Sequence, residues 1–122
     1  MPKIKELLDE VHAEVGADFV ATVIAGQDGL PVAEKSINGE FDHAIAAANF
    51  VNIIKLAGEV GEKMGLGKLA DNLIITDKYA ILTCLLGDGK FSWGLIVHKD
   101  ANLGSLRIMM AEKAATMAQV VS

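Results

Sequence analysis

The chain has 122 residues, which suits one domain spanning 1–122. Hydrophobic residues make up 52% before its 12 glycines are counted, above the roughly 45–50% usual for globular domains with glycine included; a domain this small has little interior for its surface, so part of the surplus is expected to face another subunit or a partner. The net charge is −5, Arg107 is the only arginine and the lysines are scattered, which excludes a basic patch and with it the usual basis for binding nucleic acid.

The opening Met1-Pro2-Lys3-Ile4-Lys5-Glu6 does not read as a signal peptide. Residues 3–15 then form an amphipathic helix, with Ile4, Leu7, Leu8, Val11 and Val15 on one face and Gly16 as its stop. Two strands are predicted at 19–25 and 30–36, around "GQDG" at Gly26–Gly29. That centre could cradle a phosphate, start a calcium loop or turn the chain. No helix N-terminus follows Gly29, as a phosphate would need, and the alternating oxygen ligands of a calcium loop are missing. A turn remains, with Asp28 hydrogen-bonded locally. Pro31 lacks an N–H, which places the second strand at a sheet edge.

A long helix is predicted over 41–64. Ala46, Ala47, Phe50, Val51, Ile53, Ile54, Ala57, Gly58, Val60, Gly61 and Met64 cover about half its circumference, wider than the usual ~100° stripe. Such a helix is expected to touch its own sheet and something outside the subunit. The apolar run from Ile45 to Gly61 is broken by Asn49, Asn52, Lys55 and Glu59, and no run reaches the roughly 18 residues expected of a membrane span. Gly65-Leu66-Gly67 ends the helix. Three strands follow at about 71–76, 79–86 and 91–98, joined by Asp77-Lys78 and Gly87-Asp88-Gly89-Lys90. "YAILTCLL" (Tyr79–Leu86) is apolar on both faces, as in a strand covered on both sides. Phe91, Trp93, Leu95 and Val97 share a face. The last helix, 103–121, carries Leu103, Leu106, Met110, Ala114, Met117 and Val121 and is capped by Asp100 or Asn102. The order α-β-β-α-β-β-β-α predicts an α+β fold with an antiparallel sheet and helices on both faces.

The chemistry-bearing fragments fail their motifs. Gly65-Leu66-Gly67-Lys68-Leu69-Ala70 imitates a dinucleotide fingerprint, but a helix precedes it and a strand follows, the reverse of what the motif needs. Gly67-Lys68 and Gly89-Lys90 lack the remaining Walker residues. His12, His43 and His98 match no zinc spacing. Cys84, the single cysteine, can form no internal disulfide, which fits a reducing cytosol, and reads as an inert buried thiol. Trp93 reads as core. No cofactor, metal site or catalytic constellation is expected, and the residues describe a non-enzymatic, associating domain.

The segments "VIAGQDGLPVAEKS", "NLIITDKYAILTCLL" and "VHKDANLGSLRIMMAEKAA" (starting at Val23, Asn72 and Val97) resemble, in order and over nearly the whole chain, the Roadblock / dynein light chain family, bacterial MglB type. The resemblance implies a five-stranded antiparallel, profilin-like sheet. The first and last helices would pack on one face and the middle helix on the other. It also implies a cytoplasmic homodimer with third strands paired edge to edge and middle helices side by side. On this sequence that interface would fall on Ala47, Val51, Ile54, Gly58, Leu73 and Ile75. Family members regulate or scaffold small Ras-like GTPases, and MglB-type members accelerate GTP hydrolysis through the paired middle helices. Carried over by helix face, the partner-binding residues are Ile45, Asn49, Asn52, Lys55, Leu56 and Glu59. Arg107 lies on the last helix, away from that platform, and is not expected to serve as an arginine finger. Some bacterial activators continue beyond the last helix, whereas this sequence ends at Ser122, so no function that needs such a tail is expected. The alternatives are a scaffold without effect on hydrolysis, assembling as homo- or hetero-oligomers, and a small-molecule sensor, since profilin-like sheets also host ligand pockets.

Overall fold

The computed structural model describes residues 3–39 and 41–121. Met1, Pro2 and Ser122, on which the expected leaderless start and the expected end rest, lie outside the described residues. The order is α1 (Ile4–Val15), a short 3₁₀ turn (Gly16–Asp18), β1 (Phe19–Gly26), β2 (Pro31–Ser36), α2 (His43–Lys63), β3 (Asp71–Ile75), β4 (Tyr79–Leu86), β5 (Phe91–His98) and α3 (Leu103–Val121). The strands form one antiparallel sheet in the order β2-β1-β5-β4-β3. This is the predicted α+β fold.

Local chemistry places the breaks. Gly16 ends α1 at φ 74°, a left-handed conformation that costs glycine little. In the first hairpin Gly29 N donates to Gly26 O (3.0 Å), and the Asp28 carboxylate accepts from Leu30 N (3.0 Å). The "GQDG" centre is therefore a turn with the expected local bond. Asp88 and Gly89 both take positive φ, with Lys90 N donating to Gly87 O, a turn whose twist suits a hairpin. Pro31 opens β2, which is an edge strand as its missing donor required. Asn102, not Asp100, caps α3: its side-chain oxygen accepts from Ser105 N at 3.2 Å.

The sheet divides two apolar clusters. On one face α1 (Leu7, Leu8, Val11) and α3 (Leu106, Met109, Met110, Met117) bury Ile24, Leu82, Trp93, Leu95 and Val97. On the other, α2 packs Ala46, Ala47, Phe50 and Val51 on Val23 and Ala25. Phe19 joins the α1/α3 side because β1 bulges at Val20, where the register with β5 steps from Phe19–Val97 to Ala21–Ile96. Trp93 is fully buried, and its indole N–H donates to Thr22 Oγ1 (2.8 Å), whose hydroxyl donates to Gly94 O (2.8 Å). The indole's one polar group is thus satisfied. Lys113 of α3 reaches Glu14 (3.1 Å) and Glu10 (3.6 Å) of α1. Bidentate Arg107–Asp71 bonds (2.8 and 3.0 Å) hold α3 to β3.

By length and composition alone α2 would suffice to cross a membrane, which revises the expectation that no segment would. The break residues Asn49, Asn52, Lys55 and Glu59 interrupt the run in sequence but gather on one side of the helix, leaving the other side apolar for the sheet.

α2 comes very close to the sheet at Gly94. A Cβ built there would lie 2.2 Å from the Phe50 ring. Gly94→Ala is expected to destabilise the fold by about 1–3 kcal/mol through overpacking, read as a lower urea midpoint; Phe50→Leu in the same background should recover part of the loss.

Candidate functional site

The candidate surface is the outer side of α2. Asp42 caps the helix, its carboxylate accepting from Ile45 N at 3.0 Å. Burial of Ala46, Ala47, Phe50, Val51 and Ile54 fixes the rotation of the helix about its axis. The opposite side then carries the predicted partner residues: Ile45, Asn49, Asn52, Lys55, Leu56 and Glu59 are all exposed. They form one stripe about 21 Å long at 1.5 Å per residue. Ile45 and Leu56 are 61% and 64% exposed, unusual for large aliphatic side chains. The Asn49 amide N–H donates back to Ile45 O at 2.9 Å. Helical spacing puts Lys55, Glu59 and Glu62 along one margin of the stripe and Ile53, Val60 and Met64 along the other.

The residues predicted for a dimer interface are not brought together. Ala47 is wholly buried, and Val51 and Ile54 are 6% and 5% exposed. The apolar arc of α2 first serves its own sheet, so these three offer no free surface. Gly58 is half-buried. Leu73 and Ile75 are exposed on edge strand β3. They stand opposite Leu82 and Ala80, members of the α1/α3 core, and paired residues of antiparallel strands point the same way. The two halves of the predicted set therefore lie on opposite faces of the sheet. The α2 arc is also narrower than predicted. Beyond Ile54 no residue of α2 is buried, and Val60 and Met64 are 49% and 66% exposed. With Ile45 and Leu56 they are the large apolar side chains that α2 and its C-cap leave for a neighbour.

A groove of about 370 Å³ on the α2 side was also missed; it is lined by Val20, Asn38, Phe41, Thr76, Tyr79, Ile81 and Ile96. Its signal was the second apolar face of β4, read as fully covered. Ile81 and Leu85 are half-buried and Tyr79 is 39% exposed.

The chemistry-bearing side chains stay apart. His12 stacks on Phe19 (4.3 Å between ring centres), His43 contacts Glu34 (Nδ1–Oε1 3.3 Å) and the Phe41 edge, and His98 stacks on Tyr79 (5.6 Å). Among the described residues no three or more His, Cys, Asp or Glu side chains gather in a way that could hold a metal. Gly65-Leu66-Gly67 terminates α2: Leu66 N donates to Gly61 O at 2.8 Å, with Gly65 and Gly67 at positive φ. Arg107 sits on α3, across the sheet from α2, with its guanidinium paired to Asp71.

No family model and no curated protein matches the chain. Solved structures do. Myxococcus xanthus MglB is 11% identical, with a TM-score of 0.84 over 96% of this chain and 93% of that one. A Roadblock/LC7 domain from Streptomyces avermitilis is 16% identical, with a TM-score of 0.80 over 98% and 95%. A structure described as MglB with tetrameric arrangement is 14% identical, with a TM-score of 0.85 over 97% and 87%. The fold expected from the Val23–Ser36 hairpin and the opening of α3 is therefore the fold found, that of MglB and the Roadblock/LC7 domains.

Cys84 is 9% exposed, and burial, with the Asp71 carboxylate nearby, pushes its thiol up to about 12. The thiolate is the reactive form, so Cys84 should resist thiol reagents at pH 8 in the native protein and react at once in denaturant. The folded thiol keeps its proton above pH 9, where the unfolded one loses it. Stability should therefore fall as pH rises from 9 towards 12, by up to about 1.4 kcal/mol per pH unit from this group. Cys84→Ala should flatten that limb of the urea-midpoint profile.

Proposed function

We propose that this chain, built on the Roadblock/LC7 fold, is a cytoplasmic homodimeric regulator or adaptor. It binds a small Ras-like GTPase and modulates the GTPase's hydrolysis or localisation. It is not itself an enzyme; the chemistry stays with the partner. The observation that carries this reading is the uncovered stripe on α2, where Ile45 and Leu56 stand exposed among Asn49, Asn52, Lys55 and Glu59. An apolar pair flanked by amides and charges is the composition of an interface centre with its polar rim. The stripe lies on the same helix that the resemblance assigns to GTPase docking. The likeness in fold to MglB supports the same reading.

Activation, in this reading, works by repositioning groups of the GTPase. An arginine finger must reach the transferred phosphate, and Arg107 is held by Asp71 on the far face of the sheet. For the homodimer, exposed Leu73 and Ile75 on the open β3 edge supply surface, and an unpaired edge is a ready template for a second strand.

The test is affinity capture from the native cell followed by a GTP hydrolysis assay with the recovered GTPase. Faster hydrolysis on adding the protein supports the regulator; intact binding with unchanged hydrolysis supports the adaptor; recovery of no small GTPase overturns both. Ile45→Asp and Leu56→Asp should each weaken binding about tenfold or more, equivalent to about 1.4 kcal/mol. Their folding stability should stay within about 0.5 kcal/mol of the parent, since both sites are exposed. Arg107→Ala should leave stimulated hydrolysis unchanged.

The dimer has a separate check. Light scattering at low micromolar concentration should give twice the 12.9 kDa chain mass, and Leu73→Lys with Ile75→Lys should return the single mass.

A further inference from the structure

Between α3 and the β3–β4 end of the sheet lies a cavity of about 170 Å³. It exists because α3 changes side-chain size towards the sheet: Leu106, Met109, Met110 and Met117 fill the core, but half-buried Ala114 stands where the helix passes over β4, with exposed Ala111 at the rim. The floor is Leu82, Cys84 and Met110, all buried. The mouth is formed by Asp71 and Arg107, whose side chains are 35% and 54% exposed. The walls are mostly apolar and include the Cys84 and Met110 sulfurs, which favour aromatic contacts, while Thr83, Asp71 and Arg107 supply the polar part of the lining. The ion pair at the mouth uses Nε and Nη2 of Arg107.

The cavity is partly open to solvent, with exposed Ala70 and Ala111 beside Asp71 and Arg107 at its rim. A cavity of about 150 Å³ with apolar walls stays dry and takes up benzene. From the size and mostly apolar lining, we propose that the α3–β4 cavity binds one small apolar molecule, a ring of about six to eight non-hydrogen atoms, entering beside Arg107 and Asp71. The occupant touches both α3 and edge strand β3, so binding tightens the junction that the ion pair already holds. This site is independent of the α2 stripe, on the opposite face of the sheet.

The probe is benzene, added to the full chain labelled with ¹⁵N. Saturable amide shifts are expected at Leu82, Cys84, Met110 and Ala114, with Trp93, the cross-strand neighbour of Cys84, as a fluorescence reporter. Benzene should also raise the melting temperature, because a ligand that binds only the folded state stabilises it. Ala114→Leu fills the cavity and should abolish the saturable shifts while keeping the native spectrum. Ala111→Leu is a second filling variant should the first fail to fold. Xenon under pressure should place one atom against Met110 in a crystal. Absence of saturable shifts in the parent protein overturns the proposal. So do shifts that persist unchanged in a folded filling variant, since benzene would then be binding elsewhere.

Discussion

The Phe50 ring lies so close over Gly94 that no side chain, not even a methyl group, fits between them. The rest of the molecule is organised around that contact. It sets the height of α2 above the sheet, and with it the rotation of the helix. Once Phe50 points down, helical spacing sends Ala46, Ala47, Val51 and Ile54 to the sheet and leaves Ile45, Asn49, Asn52 and Leu56 outside. The outer stripe is therefore a consequence of an inner contact. Gly94 is held from the other face as well. Its carbonyl accepts the Thr22 hydroxyl, which in turn accepts the Trp93 indole N–H. One residue without a side chain joins the two cores, because its backbone is the only part that both faces can share.

Much of this was legible in the sequence, and for local reasons. Gly16, the 26–29 turn and the 65–67 terminator are punctuation that a chain can hardly use otherwise, since the backbone conformations found there favour glycine. Pro31 marked an edge strand by what it cannot donate. Helix periodicity gave α1 and α3 to within a residue at each end. What escaped is tertiary. The bulge at Val20 and the Arg107–Asp71 pair depend on what lies across space, 36 residues apart for the ion pair, and neither has a local signature. The half-covered second face of β4 escaped for the same reason: its composition shows that it is apolar, not whether a helix is long enough to reach it.

The largest revision concerns α2. Periodicity reports which residues are apolar, and it cannot divide an over-wide arc between a helix's own sheet and a neighbour. The structure divides it along the helix as well as around it. The first half is buried as far as Ile54, and the second half, with Val60 and Met64, is left open. Assigning Ala47, Val51 and Ile54 to an outside contact gave to a neighbour the residues most needed at home.

That division bears on the apolar surplus of the composition. The exposed large hydrophobics do not form one patch. Leu30, Val32 and Ile37 lie on or beside edge strand β2, Leu73 and Ile75 on the opposite edge strand β3, and Ile45, Leu56, Val60 and Met64 along α2. The edges are separated by the width of the sheet, and α2 stands on one face of it. One partner strand could shield one edge and leave the other open, and neither edge contact would cover the outer side of the helix. With Ile108 exposed on α3 as well, the apolar surface is spread over both sheet edges and both helical layers, so a single contact would leave part of it uncovered.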